Sequence, residues 1–160
     1  MLVAPQIPPN VGNVARTCAV TGSVLHLVGP LRFSLDDRRL RRAGLDYWPD
    51  VQQALHRDWA DFEARVLGGQ PPGRSGPGRL HLFTARADRS VFGTAFEPGD
   101  FLVFGQEQLG LPPALLEASP ERQVGIPMLP GQRSLNLAVA VAVGVYAALG
   151  SMMRAGAAAG

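Results

Sequence analysis

The stretch IPMLPGQRSLNLAVAVAVGVYAALG at 126–150 decides the fold. Its first part is a loop, with Pro127, Pro130 and Gly131 following Ile126 and the polar cluster Arg133, Ser134 and Asn136 coming next. Its second part, Leu135 and then Leu137 through Val143, shows no polar face, which predicts a helix apolar all round. Ser134 is the expected N-cap. The unpaired N–H groups of the first helical turn beside it make a corner suited to a polar ligand. A helix without a polar face needs cover on every side, and a chain of 160 residues has too few layers to supply that cover alone. A second copy of the protein is the expected cover, so a homodimer is predicted.

Upstream, FLVFG at 101–105 is an almost wholly apolar strand of the buried, parallel-sheet kind. It leads into FGQEQLGLPPALLEA at 104–118, where Gly105 and Gly110 flank Glu107 in a tight turn before a short helix that starts at Pro112 or Pro113. Further strands are expected at 23–29, 79–85 and 122–127, with a stub of one at 1–4. The prolines of PQIPPN at 5–10 force an extended turn. Asn10 then caps a helix whose apolar stripe is Val11, Val14, Ala15, Cys18 and Ala19 and whose end is Gly22. Asn13 and Arg16 share a face of that helix, next to the rigid turn.

DDRRLRRAGLDYW at 36–48 predicts a helix that buries Leu40, Ala43 and Tyr47 and exposes Arg38, Arg39, Arg41 and Arg42, a strip suited to phosphate contact. DVQQALHRDWADFEARVL at 50–67 predicts another, broken near Arg57 and Asp58, with Val51, Leu55, Trp59, Phe62 and Val66 inward. GGQPPGRSGPG at 68–78 is a loop too short to separate domains. The alternation of strands and helices predicts a single α/β domain over 1–160, with a mostly parallel sheet, helices on both faces, and a tail from about 151 that lacks order. Ligands in such sheets sit beyond the carboxyl ends of the strands, where the turn at 105–110 and the loop at 126–136 both fall. Neither a GxGxxG after a strand nor a phosphate-binding GxxxxGK[ST] is present.

The 15 basic residues are all Arg, against 13 acidic ones. Arg suits nucleic acid through bidentate phosphate contacts and base stacking, and the same bias arises from GC-rich coding. One cysteine, Cys18, excludes a disulfide framework, and no signal-peptide pattern opens the chain, so a cytoplasmic protein is expected. The apolar segment 135–153 reaches the length of a membrane span, but its Ala, Gly and Val content and the internal Asn136 argue for a core helix. His26, His56 and His81 lie far apart without companion cysteines, so no metal site is expected.

Three stretches taken together, PQIPPNVGNVARTC at 5–18, LVFGQEQLGLP at 102–112 and IPMLPGQRSLNLAVAVAVGVY at 126–146, resemble the three motifs of SPOUT-class RNA 2′-O-ribose methyltransferases. The segment 36–48 between the first two resembles the subgroup that methylates the wobble nucleotide of tRNA. Where that family often has Arg two positions after the motif-two acid, this chain has Leu109.

The resemblance implies an α/β homodimer with a deep C-terminal trefoil knot. Its implied activity is S-adenosylmethionine-dependent 2′-O-methylation of position 34, a cytidine or modified uridine, in tRNA, leucine isoacceptors among its substrates. By motif matching, the cofactor contacts would be Phe83, Thr84, Gly105, Ile126, Ser134, Leu135 and Asn136, largely through backbone groups. Arg16, Asn13 and Glu107 would form the catalytic set, and Arg38, Arg39, Arg41, Arg42 and Tyr146 would contact RNA. Two other functions fit the same residues: a methyltransferase acting on ribosomal RNA or another tRNA position, and a non-catalytic RNA-binding dimer.

Overall fold

Parallel strand pairing organises the chain. The computed structural model describes residues 1–34, 48–68 and 78–158. Strand β1 (Leu2–Val3) pairs with β2 (Leu25–Val28), and β2 pairs with β3 (Gln53–His56). A second sheet has β4 (Leu80–Phe83) at its centre, between β5 (Phe101–Val103) and β6 (Gln123–Val124). A parallel bridge from Leu2 to Phe104 joins the two sheets, with Val3 N–H donating to Phe104 O at 2.8 Å and Phe104 N–H to Met1 O at 3.0 Å. The order across the joined sheet is therefore β3, β2, β1, β5, β4, β6, all parallel, as the apolar strands require.

Both faces of this sheet are buried, and neighbouring residues of one strand serve opposite sides. Leu2, Leu25 and Leu27 pack with Val11, Val14 and Cys18 of helix α1 (Pro8–Thr21) and with Val141 and Val145 of the long C-terminal helix, α4 (Leu137–Ala158). Val3, Val28, Leu80, Leu82 and Val103 pack on the other side with Phe62 and Leu67. The stripe predicted for α1 is the buried one. Pro8 and Pro9 occupy the first helical positions, where proline loses nothing, so α1 starts two residues before Asn10, which is not its cap. Gly22, at φ 67°, ends it with a left-handed turn whose N–H returns to Cys18 O.

Two expectations are corrected. The helix predicted over 50–67 is a strand, β3, followed by α2 (Trp59–Phe62), which continues as a π-helical turn through Glu63–Leu67. Asp58 takes an extended backbone and its Oδ1 accepts from Asp61 N–H at 2.8 Å, so the helix cannot begin earlier, and the residues before it complete the sheet edge. The tail expected to lose order from about 151 continues α4 through Ala158. The predicted helix 36–48 and its arginines lie outside the described residues apart from Trp48, which opens a short 3₁₀ turn (Trp48–Asp50). Short helix α3 (Pro113–Glu117) follows the turn at 105–110, as its prolines predict.

Helix α4 is long and apolar enough to cross a membrane by length and composition. It packs instead along one face. Leu137, Ala138, Val141, Val145 and Ala148 are buried on the inner side. Gly144 sits so close to the stacked rings of Phe83 and Phe104, whose centroids are 4.2 Å apart, that a Cβ there would approach them to 2.9–3.0 Å.

Candidate active site

Three segments far apart in sequence meet at the carboxyl ends of β1 and β5. Glu107 accepts hydrogen bonds from Gln6 N–H at 2.9 Å, Ile7 N–H at 3.1 Å and Asn10 Nδ2 at 2.9 Å. The Oδ1 of Asn10 in turn accepts from Asn136 Nδ2 at 3.0 Å. Asn136 completes the chain by capping α4, its Oδ1 accepting from Ala138 N–H at 2.9 Å and Val139 N–H at 3.4 Å. The cap of α4 is thus Asn136 and not Ser134, which lies two residues short of it on the exposed loop. This network ties the proline turn, the glycine turn and the start of α4 into one corner.

The glycines of the turn aim Glu107 into it. Gln106 and Gly110 exchange both backbone hydrogen bonds, at 3.1 and 2.9 Å, so the chain reverses within five residues. A Cβ on Gly105 would lie 2.0–2.2 Å from the backbone of Gly110 and Leu111, and Gly110 itself takes φ 69°. Both carboxylate oxygens of Glu107 are thus occupied by donors from the start of α1. Asn13 and Arg16 sit one and two turns further along α1 and are exposed. Asn10, only 6% exposed, is the residue that sequence reasoning assigned to a cap and missed as part of the site.

Beside this corner, at the carboxyl ends of β4 and β6, the loop after β4 and the loop after β6 flank an open pocket of about 420 Å³, within the range of roughly 300–1,000 Å³ usual for small-molecule sites. Ile126 lines it, together with Ala87, Asp88, Ser90, Gly125 and Gln132. Of the expected cofactor residues Ile126 alone lines it, and the others lie elsewhere. Phe83 is only 8% exposed and its ring belongs to the core. Thr84, half-buried, donates from its N–H to Val124 O at 3.0 Å and bridges β4 to β6. Gly105 is buried in the neighbouring turn, and Ser134, Leu135 and Asn136 continue the exposed loop to α4. Tyr146, 58% exposed, lies on the outer face of α4, away from the core side. Arg38, Arg39, Arg41 and Arg42 lie outside the described residues.

Comparison with known proteins accounts for this arrangement. The chain is 51% identical over 149 residues to the tRNA (cytidine(34)-2′-O)-methyltransferase of Burkholderia pseudomallei strain 1106a, covering 92% of this chain and 91% of that one. A solved structure bearing on the 2-OH methylation of C/U34 on tRNA superposes with a TM-score of 0.85 at 43% identity, covering 96% of this chain and 94% of that one. The SpoU methyltransferase AviRb of Streptomyces viridochromogenes, in complex with the cofactor AdoMet, shares the fold at a TM-score of 0.82 and 22% identity, covering 95% of this chain and 56% of that one. The profile of the SpoU rRNA Methylase family matches residues 1–146, and with that match spanning all three converging segments, this chain belongs to that family.

Proposed function

We propose that this protein methylates the 2′-hydroxyl of the wobble nucleotide, position 34, of tRNA. It acts as a cytoplasmic homodimer, with the C-terminal segments threaded into a trefoil knot. One observation carries the chemistry: Glu107, Asn10 and Asn136, separated by 97 and 126 residues, hydrogen-bond into a single corner beside a ligand-sized cavity. The choice of nucleotide follows from the relative at 51% identity and the similar structure at 43%.

The cavity suits S-adenosylmethionine. Ile126 and the proline-rich loop offer apolar surface to a nucleoside, while Asp88, Ser90 and Gln132 offer polar partners. When bound, that cofactor supplies an electrophilic methyl group on a sulfonium. The task left to the chain is alignment of the hydroxyl with that methyl, and alignment alone is worth about 7–11 kcal/mol of barrier. Arg16 holds a substrate phosphate and polarises the hydroxyl, with Asn13 beside it. A guanidinium stays protonated at neutral pH, so it works as donor and charge rather than as base. Glu107 acts through Asn10 by fixing the start of α1 and hence the height of Arg16. Arg38, Arg39, Arg41, Arg42 and Tyr146 supply RNA contacts.

The Arg16→Ala protein should show a single-turnover methylation rate at saturating tRNA lowered by about 10²-fold or more, the scale of a misplaced reacting group. An unchanged rate would remove Arg16 from the mechanism. The family description also allows a ribosomal substrate. Incubation of purified protein with S-adenosylmethionine and either total tRNA or ribosomal RNA, followed by mapping of the new 2′-O-methyl group, decides between them. A mark anywhere but the first anticodon nucleotide sinks the proposed specificity.

A further inference from the structure

The cavity wall carries one formal charge. Among its lining residues Asp88 alone is ionisable, with Ser90 and Gln132 the other polar side chains. The backbone fixes its place: Gly125 N–H donates to Arg89 O at 2.8 Å, Val91 N–H donates to Gly125 O at 2.8 Å, and a Cβ on Gly125 would come within 2.9 Å of Ala87 O. Asp88 is therefore held on a loop clamped from both sides to the end of β6. Its exposed carboxylate makes no hydrogen bond or ion pair among the described residues. A carboxylate without a partner among the described residues, on a residue that lines a ligand-sized pocket, suits a ligand with paired donors.

The sheet order says which part of the donor meets them. The cavity stands over β4 and β6, whereas the corner of Glu107, Asn10 and Asn136 stands over β5 and β1. A donor spanning the two must put its sulfur toward the corner, and its amino-acid arm branches from that sulfur. The nucleoside is what remains for the cavity. Resting on the methyltransferase reading above, we infer that Asp88 accepts hydrogen bonds from the vicinal 2′- and 3′-hydroxyls of the donor's ribose. Hydroxyl-to-carboxylate bonds are short and charge-assisted, and an acidic side chain on ribose hydroxyls is the solution other nucleotide folds use.

The test is calorimetric titration of the full-length wild-type and Asp88→Ala proteins with S-adenosylhomocysteine and with its 2′-deoxy and 3′-deoxy analogues. The wild type should prefer the parent compound about tenfold over each analogue. Asp88→Ala, which loses both bonds, should bind the parent about a hundredfold more weakly and treat all three within about twofold, each tenfold being one lost charge-assisted bond. Equal melting temperatures for the two proteins are expected, because Asp88 is an exposed loop residue. A preference that survives in Asp88→Ala, or a wild type indifferent to both hydroxyls, overturns the assignment while leaving the methyltransferase reading standing. A wild type that gives no binding of S-adenosylhomocysteine overturns both.

Discussion

Glu107 accepts three hydrogen bonds and releases none, and that count sets what a substitution does. In Glu107→Gln one carboxylate oxygen becomes an amide donor, so at least one of Gln6 N–H, Ile7 N–H and Asn10 Nδ2 loses its acceptor and meets a donor instead. Leaving a half-buried donor unsatisfied costs about 1–3 kcal/mol, which a lowered urea midpoint at unchanged slope would report. A midpoint within error of the wild type would show that water replaces the carboxylate freely. Asn10 marks how far the sequence can be read at this scale. Its type and its place after two prolines suit a cap equally well, and only the long-range approach of Glu107 and Asn136 turns it inward. That Asn13 and Arg16 lie off the apolar stripe of α1 was legible, because spacing along one helix needs no tertiary knowledge.

The strand β3 shows the same limit for an element. Its alternation is inverted, with Leu55 47% exposed and His56 buried, so the period-two signal carries the wrong polarity and the apolar spacing across 50–67 reads as a helix. His56 is buried because it meets His26 of β2, Nε2 to Nδ1 at 3.0 Å, inside a ring of Phe62 and Phe101. One ring must stay neutral to accept this bond. Burial, the nearby N-terminal ammonium and His56 push His26 down to about 4, and burial followed by Arg65 lowers His56 against the opposing pull of Asp61, whose Oδ2 is 3.9 Å from its Nδ1. Both folded values lie below the ordinary 6.5, so the unfolded chain binds more protons between about 4 and 6.5, and stability falls as pH drops through that window. The urea midpoint should decline between pH 7 and 4.5 and decline less in His26→Gln, which keeps a hydrogen-bonding side chain but no titration. Parallel declines would mean that carboxylates alone drive the acid response.

Across the whole molecule, α4 presents two apolar faces of different exposure. Its buried residues Leu137, Val141, Val145 and Ala148 fall on one side, and Val139, Tyr146 and Met153, spaced by seven, fall on the other. These three are 49%, 58% and 76% exposed, so an apolar stripe runs along the outer face with nothing among the described residues to cover it. The helix's lack of a polar face was legible from its residues alone, because hydropathy along one helix needs no tertiary knowledge. Joining of the two sheets through Leu2 and Phe104 was not, since a two-residue strand has no pattern to read. If the proposed homodimer closes over the stripe, Val139→Glu combined with Met153→Glu places two carboxylates in a desolvated contact and should yield a monomer of 17.0 kDa by sedimentation, with unchanged circular dichroism. The wild type should sediment at twice that mass. A wild type that is already monomeric at micromolar concentration would assign the stripe to another partner and remove the second subunit from the catalytic model.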